Sequence, residues 1–186
     1  MIQHLTAILL AATAGVAQAQ AYVSAAAGVG RDNTKLDPMG ILHSDTTGTA
    51  YKLVGGYGVG HNLAVELAYM SFGKASVDGG FQGESKSDGI GLDLAYRLPL
   101  NPSWDFTLRG GLLRMKTRFS GIRTSLYGYA SSPSTAPHLG LAAGYSVSPR
   151  LRLDAHLDFS RNKYSHMGSG ERSNVRAYTA GATFMF

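Results

Sequence analysis

The 186-residue chain contains no cysteine. Thiol catalysis, disulfide scaffolds and the common structural zinc sites are therefore excluded. Charged residues make up 16% of the chain, well short of the roughly 25% of a soluble domain. Beyond the N-terminus no apolar run approaches the ~20 residues of a spanning helix, which excludes a helical membrane protein. Proline is sparse at 6 residues, whereas glycine is abundant at 24, and hydrophobic residues account for 44%. The glycines follow no collagen-like period. What is left is one domain's length of weakly charged, glycine-rich chain whose hydrophobicity must be dispersed.

The first twenty residues read as an export signal. Leu5 to Val16 (LTAILLAATAGV) is a short apolar stretch, and Ala17-Gln18-Ala19 follows with the small-x-small pattern of a cleavage site. Cleavage is expected after Ala19, with Ala21 as the alternative. The segment before it, Met1 to His4, lacks the usual Lys or Arg. Residues 1–19 are set apart as a signal peptide, and 20–186 carry the fold.

Past this segment the hydrophobicity has period two. In Leu151 to Ser160 (LRLDAHLDFS) every odd position is apolar and every even one polar or small. A strand sends alternate side chains to opposite faces, so this segment has one greasy and one ionic side. Similar alternation runs through 63–70, 90–98, 104–112 and 139–147, and more weakly through about 21–30, 49–59 and 174–186. The count of eight predicts an all-β, eight-stranded antiparallel up-and-down barrel. Three connections are tight, at Gly60-His61-Asn62, Asn101-Pro102-Ser103 and Ser148-Pro149-Arg150; four are long, at about 31–48, 73–88, 117–135 and 161–173. Short turns at one end and long loops at the other are the pattern of a barrel crossing a bilayer. A soluble barrel would turn the apolar face inward. The ionic faces, however, carry few charges and many Gly, Ala and Ser, and bulky aromatics such as Tyr57, Tyr96, Trp104 and Tyr145 fall on the apolar faces near strand ends. Both features suit a lipid-facing exterior with interfacial girdles.

Three segments carry a resemblance: GGYGVGHNLAVELAYMSFG (55–73), DLAYRLPLNPSWDFTLRGGL (93–112) and LGLAAGYSVSPRLRLDAHLDFS (139–160). With the terminal NVRAYTAGATFMF (174–186), they resemble the small outer-membrane β-barrel family that includes the OmpA transmembrane domain, OmpX and the opacity-type proteins. The resemblance implies location in a Gram-negative outer membrane, a lipopolysaccharide neighbourhood, no cofactor, and insertion by the barrel-assembly machinery. Tyr178, Phe184 and Phe186 would form the assembly signal. Asp158 stands where relatives often carry Glu.

Within such a barrel the inward set is expected to contain Lys52, Glu66, Asp93, Arg97, Asp105, Arg109, Arg152, Asp154, His156 and Asp158. Charges enclosed in a narrow barrel must be paired or hydrogen-bonded. The turn at Asn101-Pro102-Ser103 makes Arg97 and Asp105, and likewise Asp93 and Arg109, diagonal neighbours, predicting a cross-strand ion-pair ladder. Small residues also face large polar ones: Gly56 faces Glu66, Gly144 faces Asp154, Ala142 faces His156 and Gly140 faces Asp158. This predicts a packed polar plug. The alternative is a gate or narrow diffusion pore, opened by breaking an ion pair; eight strands leave little lumen for it.

Twelve of the 17 Lys and Arg residues fall at the long-loop end. Arg114, Lys116, Arg118 and Arg176, nearest the inferred strand ends, are candidate contacts to lipopolysaccharide phosphates. Nucleic acid is not expected as a partner, and the chain is expected to be monomeric. An enzyme is not expected either. Ser165, His166 and Ser169 are the best candidates for a lipid A acyl hydrolase, but they sit in a Gly/Ser-rich stretch without an orienting strand. His156-x-Asp158 could serve a metal or proton relay, though a hydrogen-bonded interior histidine is the simpler reading. His43, His61 and His138 show no ligand spacing, and no phosphate loop is present. The expected role is structural or surface-interacting, in the integrity of the envelope.

Overall fold

A computed structural model describes residues 21–32, 43–45, 47–78, 83–120, 129–130, 133–166 and 169–186. The expected signal peptide lies in the part outside these residues. Eight long strands run in chain order: β1 (Ala21–Asp32), β2 (Thr47–Gly60), β3 (Leu63–Asp78), β4 (Gly83–Pro99), β5 (Trp104–Ser120), β6 (Pro133–Ser146), β7 (Leu151–His166) and β8 (Ser169–Met185). Each pairs antiparallel with its successor, and β8 closes on β1 from Tyr22↔Met185 to Asp32↔Val175. Among the described residues, closure leaves the eight long strands without an open edge, as a sheet in hydrocarbon requires. Two short pieces, His43–Asp45 and Tyr129–Ala130, extend the pairing beside β3 and β7.

The short connections fold as their residues dictate. Asn62 takes the left-handed conformation, with φ of 62°, in the β2–β3 turn. Asn101 Oδ1 accepts from the backbone N–H groups of Ser103 and Trp104, both at 2.9 Å. Ser148 Oγ accepts from Leu151 N at 3.1 Å. These local hydrogen bonds set the registers. Asp93 faces Gly111 across β4–β5, Gly56 faces Glu66 across β2–β3, and Gly144 faces Asp154 across β6–β7.

The strands run further than the alternation alone suggests. They span 12–17 residues, so much of 73–88, 117–135 and 161–173, expected as loop, is paired strand. The reason is that polar strand outside the membrane keeps its ladder but loses its apolar alternation. A 17-residue strand is about 56 Å long, and at a tilt of ~40° it rises about 43 Å, against an apolar band of ~25 Å. The excess projects at the long-loop end. A β-bulge between Ser71 and Lys74, with Gly73 at φ of 87°, bends β3 there.

Outside, the wall is greasy. Leu67, Leu92 and Leu112 are each 60% exposed, and Leu53, Ile90, Leu94, Leu139 and Leu141 join them. A contiguous belt of this kind fits lipid, not water. Trp104 stacks near Tyr145 with ring centroids 5.0 Å apart, close to the short turns, and Tyr51 meets Tyr69 at 6.1 Å on the β2–β3 wall.

Inside, the filling is layered. Toward the short turns lies the ionic set. Beyond it Ala50, Val54, Ala68, Met70, Phe72, Leu113, Met115, Val175 and Ala177 form one apolar cluster. Phe72, Leu113, Met115 and Val175 are at most 1% exposed. Beyond that again, Ser87 and Thr117 hydroxyls meet at 3.0 Å. The expected polar plug is therefore polar in only part of the barrel. Met70, Leu113 and Met115 hold the inward parity of their strands, and they fill the lumen where no charge partner is offered.

Candidate functional site

The ionic layer is built from inward side chains of seven strands. Lys52, Glu66, Asp93, Asp105, Arg109, Arg152, Asp154, His156 and Asp158 are all buried, while Arg97 is intermediate. Their partners differ from the diagonal ladder predicted from sequence. Arg109 Nε donates to Glu66 Oε2 at 2.7 Å, not to Asp93. Arg152 Nη1 donates to both oxygens of Asp105, at 3.0 and 3.3 Å, and Arg97 takes no part in that contact. Arg152 Nε also lies 2.6 Å from Asp154 Oδ1, a charge contact away from the N–H axis. Lys52 Nζ reaches Asp158 Oδ1 at 2.7 Å from the far side of the closure seam.

A set of glycines opens the way to several of these partners. Asp93 faces Gly111, which in turn faces His138; Arg109 faces Gly140, which faces Asp158; Tyr22 faces Gly56, which faces Glu66. In each case the middle strand presents no side chain: Asp93 reaches His138 and Tyr22 reaches Glu66 over it, while Arg109 and Asp158 both fill the space above Gly140. A Cβ at Gly140 would lie 2.8 Å from Asp158 Oδ1, and one at Gly144 2.9 Å from Arg152 Cδ and 3.0 Å from Asp105 Oδ1. A Cβ at Gly56 would fall within the Tyr22 ring. Interior partners are thus commonly two strands apart, and the β4–β5 diagonals Arg97–Asp105 and Asp93–Arg109 go unused.

Two side chains missed from sequence complete the layer. Tyr22 donates its hydroxyl to Glu66 Oε1 at 2.5 Å. His138, fully buried, stands between Asp93 Oδ1, at 2.8 Å from Nδ1, and Asp158 Oδ1, at 3.1 Å from Nε2. With both carboxyl groups ionised, their oxygens only accept, so both ring nitrogens would donate and His138 would carry a positive charge. Among the described residues, with His138 protonated, the inward cations Lys52, Arg97, Arg109, His138 and Arg152 equal in number the carboxylates Glu66, Asp93, Asp105, Asp154 and Asp158. The signal for His138 was its even parity in β6, shared with Gly140, Ala142 and Gly144. His156 is held by Arg109, with Nη1 to Nδ1 at 3.4 Å. Thr183 donates to Asp154 Oδ2 at 2.5 Å. Among the described residues no cluster of His, Asp and Glu has the arrangement of a metal site.

At the opposite end, the outward face of β5 passes from Leu112 to Arg114, Lys116 and Arg118, all exposed. Arg118 Nη1 meets Asp88 Oδ1 on β4 at 2.7 Å, and Lys74 meets Glu84 at 2.9 Å. Arg176 lies over the Phe159 ring, 5.8 Å from its centroid. These cations, expected beside strand ends, stand on the strand wall itself above the apolar belt. Tyr178, Phe184 and Phe186 are exposed on the outer wall, with Phe184 and Phe186 edge to face at 5.3 Å. Side chains of Ser165, His166 and Ser169 lie outside the described residues.

A closed antiparallel barrel with a lipid-facing exterior and a charge-balanced, filled interior defines the class of small transmembrane β-barrels. The chain belongs to the outer membrane protein beta-barrel domain family, whose model matches residues 5–186, and its place is the outer membrane of a Gram-negative envelope. No curated protein matches it by sequence. Several solved structures share the fold. Neisserial surface protein A (NspA) aligns at 17% identity and a TM-score of 0.61, covering 89% of this chain and 97% of that one. OprG of Pseudomonas aeruginosa aligns at 14% identity and 0.58, covering 90% and 95%. Ail, the attachment invasion locus protein of Yersinia pestis, aligns at 16% and 0.54, covering 90% and 97%.

Proposed function

We propose that the barrel acts as a sealed, monomeric element of the outer membrane, serving envelope integrity or surface interaction, and that it grips lipopolysaccharide through its cationic outer wall. The observation that carries this reading is the row Arg114, Lys116 and Arg118 directly above the lipid-facing Leu112, with Lys86 beside it on β4. Among the described residues no carboxylate lies within 4 Å of Arg114 or Lys116. Unanswered cations at the level of the outer leaflet suit lipid phosphates, which Arg engages through two parallel hydrogen bonds. Arg176 supplies a second point of contact. Ail, a protein of the same fold, has been crystallised with the heparin analogue sucrose octasulfate.

The reading is non-enzymatic and without a cofactor. Tyr178, Phe184 and Phe186 would serve recognition by the assembly machinery, their exposure on the outer wall leaving them accessible during insertion. The narrow-pore alternative is disfavoured by the apolar layer of Phe72, Leu113, Met115 and Val175 across the lumen.

Replacing Arg114, Lys116, Arg118 and Arg176 together by Gln tests the proposal. At about 1 kcal/mol per cation near an anionic surface, lipopolysaccharide co-purifying with the barrel should fall at least about tenfold. Unchanged lipopolysaccharide in a correctly folded variant would sink it.

A further inference from the structure

The inner end of the barrel opens, between the short turns, into a cavity of about 150 Å³. Three arginines line it, Arg97, Arg109 and Arg152, together with Thr107, Asn62 and Tyr22; no carboxylate does. We propose that this periplasmic mouth is a binding site for a phosphate-sized oxyanion, with Arg97 as its principal donor. The inference is independent of the lipopolysaccharide reading, which concerns the other end and the outer wall.

Arg109 and Arg152 have their charges answered by Glu66, Asp105 and Asp154, none of which lines the cavity. Arg97 is different. Its Nη1 lies 3.9 Å from the Met185 sulfur, and among the described residues no carboxylate lies within 4 Å of it. Asp105, the acid nearest in the hairpin, is engaged by Arg152 over Gly144. A half-buried guanidinium with no carboxylate in contact is incompletely compensated, and an anion in the cavity would pair with it directly. The guanidinium fork matches a tetrahedral oxyanion with two parallel N–H donors. Size agrees, because an engineered cavity of about 150 Å³ admits benzene, and phosphate is smaller. The shared chemistry is a phosphate group, whether from free inorganic phosphate or from a headgroup of the inner leaflet.

The test uses the mature barrel refolded in maltoside micelles, which carry no phosphate, with arginine Nε–Hε signals followed by NMR at constant ionic strength. Inorganic phosphate is titrated in one arm and phosphatidylglycerol in the other, with chloride as control and sulfate as competitor. A saturable shift of a few arginine signals is expected, one of them absent in Arg97→Lys. The apparent affinity should weaken about tenfold or more in Arg97→Gln, as loss of a charge-assisted hydrogen bond implies, and less in Arg97→Lys. Heat-modifiable gel migration should stay unchanged, since Arg97 holds no carboxylate. Saturation by phosphatidylglycerol alone supports the site and assigns its ligand to the lipid. Linear shifts, equal shifts with chloride, or unaltered binding in Arg97→Gln overturn the proposal. If Arg97→Gln does not refold, the wild-type titration and Arg97→Lys decide the matter.

Discussion

Asp158 is the point at which the interior network is most exposed to a single change. Its Oδ1 takes Lys52 at 2.7 Å and His138 at 3.1 Å, with both side chains at most 3% exposed. Asp158→Asn keeps the shape and one carbonyl acceptor but leaves Lys52 without a carboxylate in contact. Breaking a buried pair by removing one partner costs about 3–5 kcal/mol. The retained acceptor puts the expectation at the lower end, about 3 kcal/mol, or roughly 150-fold in the folding constant. The assay is reversible urea unfolding in phosphocholine vesicles, read from the fluorescence of Trp104, the sole tryptophan, and from heat-modifiable migration. The second half of the cycle is Lys52→Met in the same background. If the cost is that of a stranded ammonium, the double variant regains at least about 1.5 kcal/mol relative to additivity. A loss in Asp158→Asn within about 0.5 kcal/mol, the range of an ordinary surface change, would refute the reasoning. So would strict additivity of the two substitutions.

Gly56→Val should destabilise by about 1–3 kcal/mol through overpacking, because its Cβ would occupy the place of the Tyr22 ring. Tyr22→Ala in the same chain should relieve most of the clash, as judged by the urea midpoint. In planar bilayers the wild type should give no stable conductance steps. Asp105→Ala should behave alike, because it breaks the contact to Arg152 but leaves the layer of Phe72, Leu113, Met115 and Val175 intact. Ion-pair-dependent steps would instead assign the seal to the ionic layer.

The ionic residues show where sequence reasoning ran out. Parity alone placed Lys52, Glu66 and Asp158 on one face, and the turn at Asn101-Pro102-Ser103 aligned Asp93 with Gly111. The same hairpin, however, predicts Arg97 with Asp105 and Arg109 with Asp93, and neither pairing forms. A hairpin register reports only on neighbours in one sheet surface, whereas curvature brings together side chains two strands apart when the strand between carries glycine. His138 falls outside the inward set expected from sequence for the same reason. It stands alone in sequence, and its two carboxylates come from β4 and β7. The strand ends are also hidden from the hydropathy pattern, because Lys86, Asp88, Arg114 and Lys116 alternate in position but not in hydropathy.

What the sequence determined by itself was local and periodic: eight amphipathic segments, three turns of known chemistry, a lipid face and an ionic face. Period two and turn stereochemistry are properties of a few consecutive residues, and no closure is needed to read them. Closure decided the rest. Only when β8 meets β1 does Lys52 come within 2.7 Å of Asp158, and only within the curved wall do Gly56, Gly111, Gly140 and Gly144 become windows through which partners reach. Which acid answers which base is set by Coulomb attraction over distances that the closed barrel alone defines. That geometry also leaves Arg97 facing the periplasmic mouth without a carboxylate in contact.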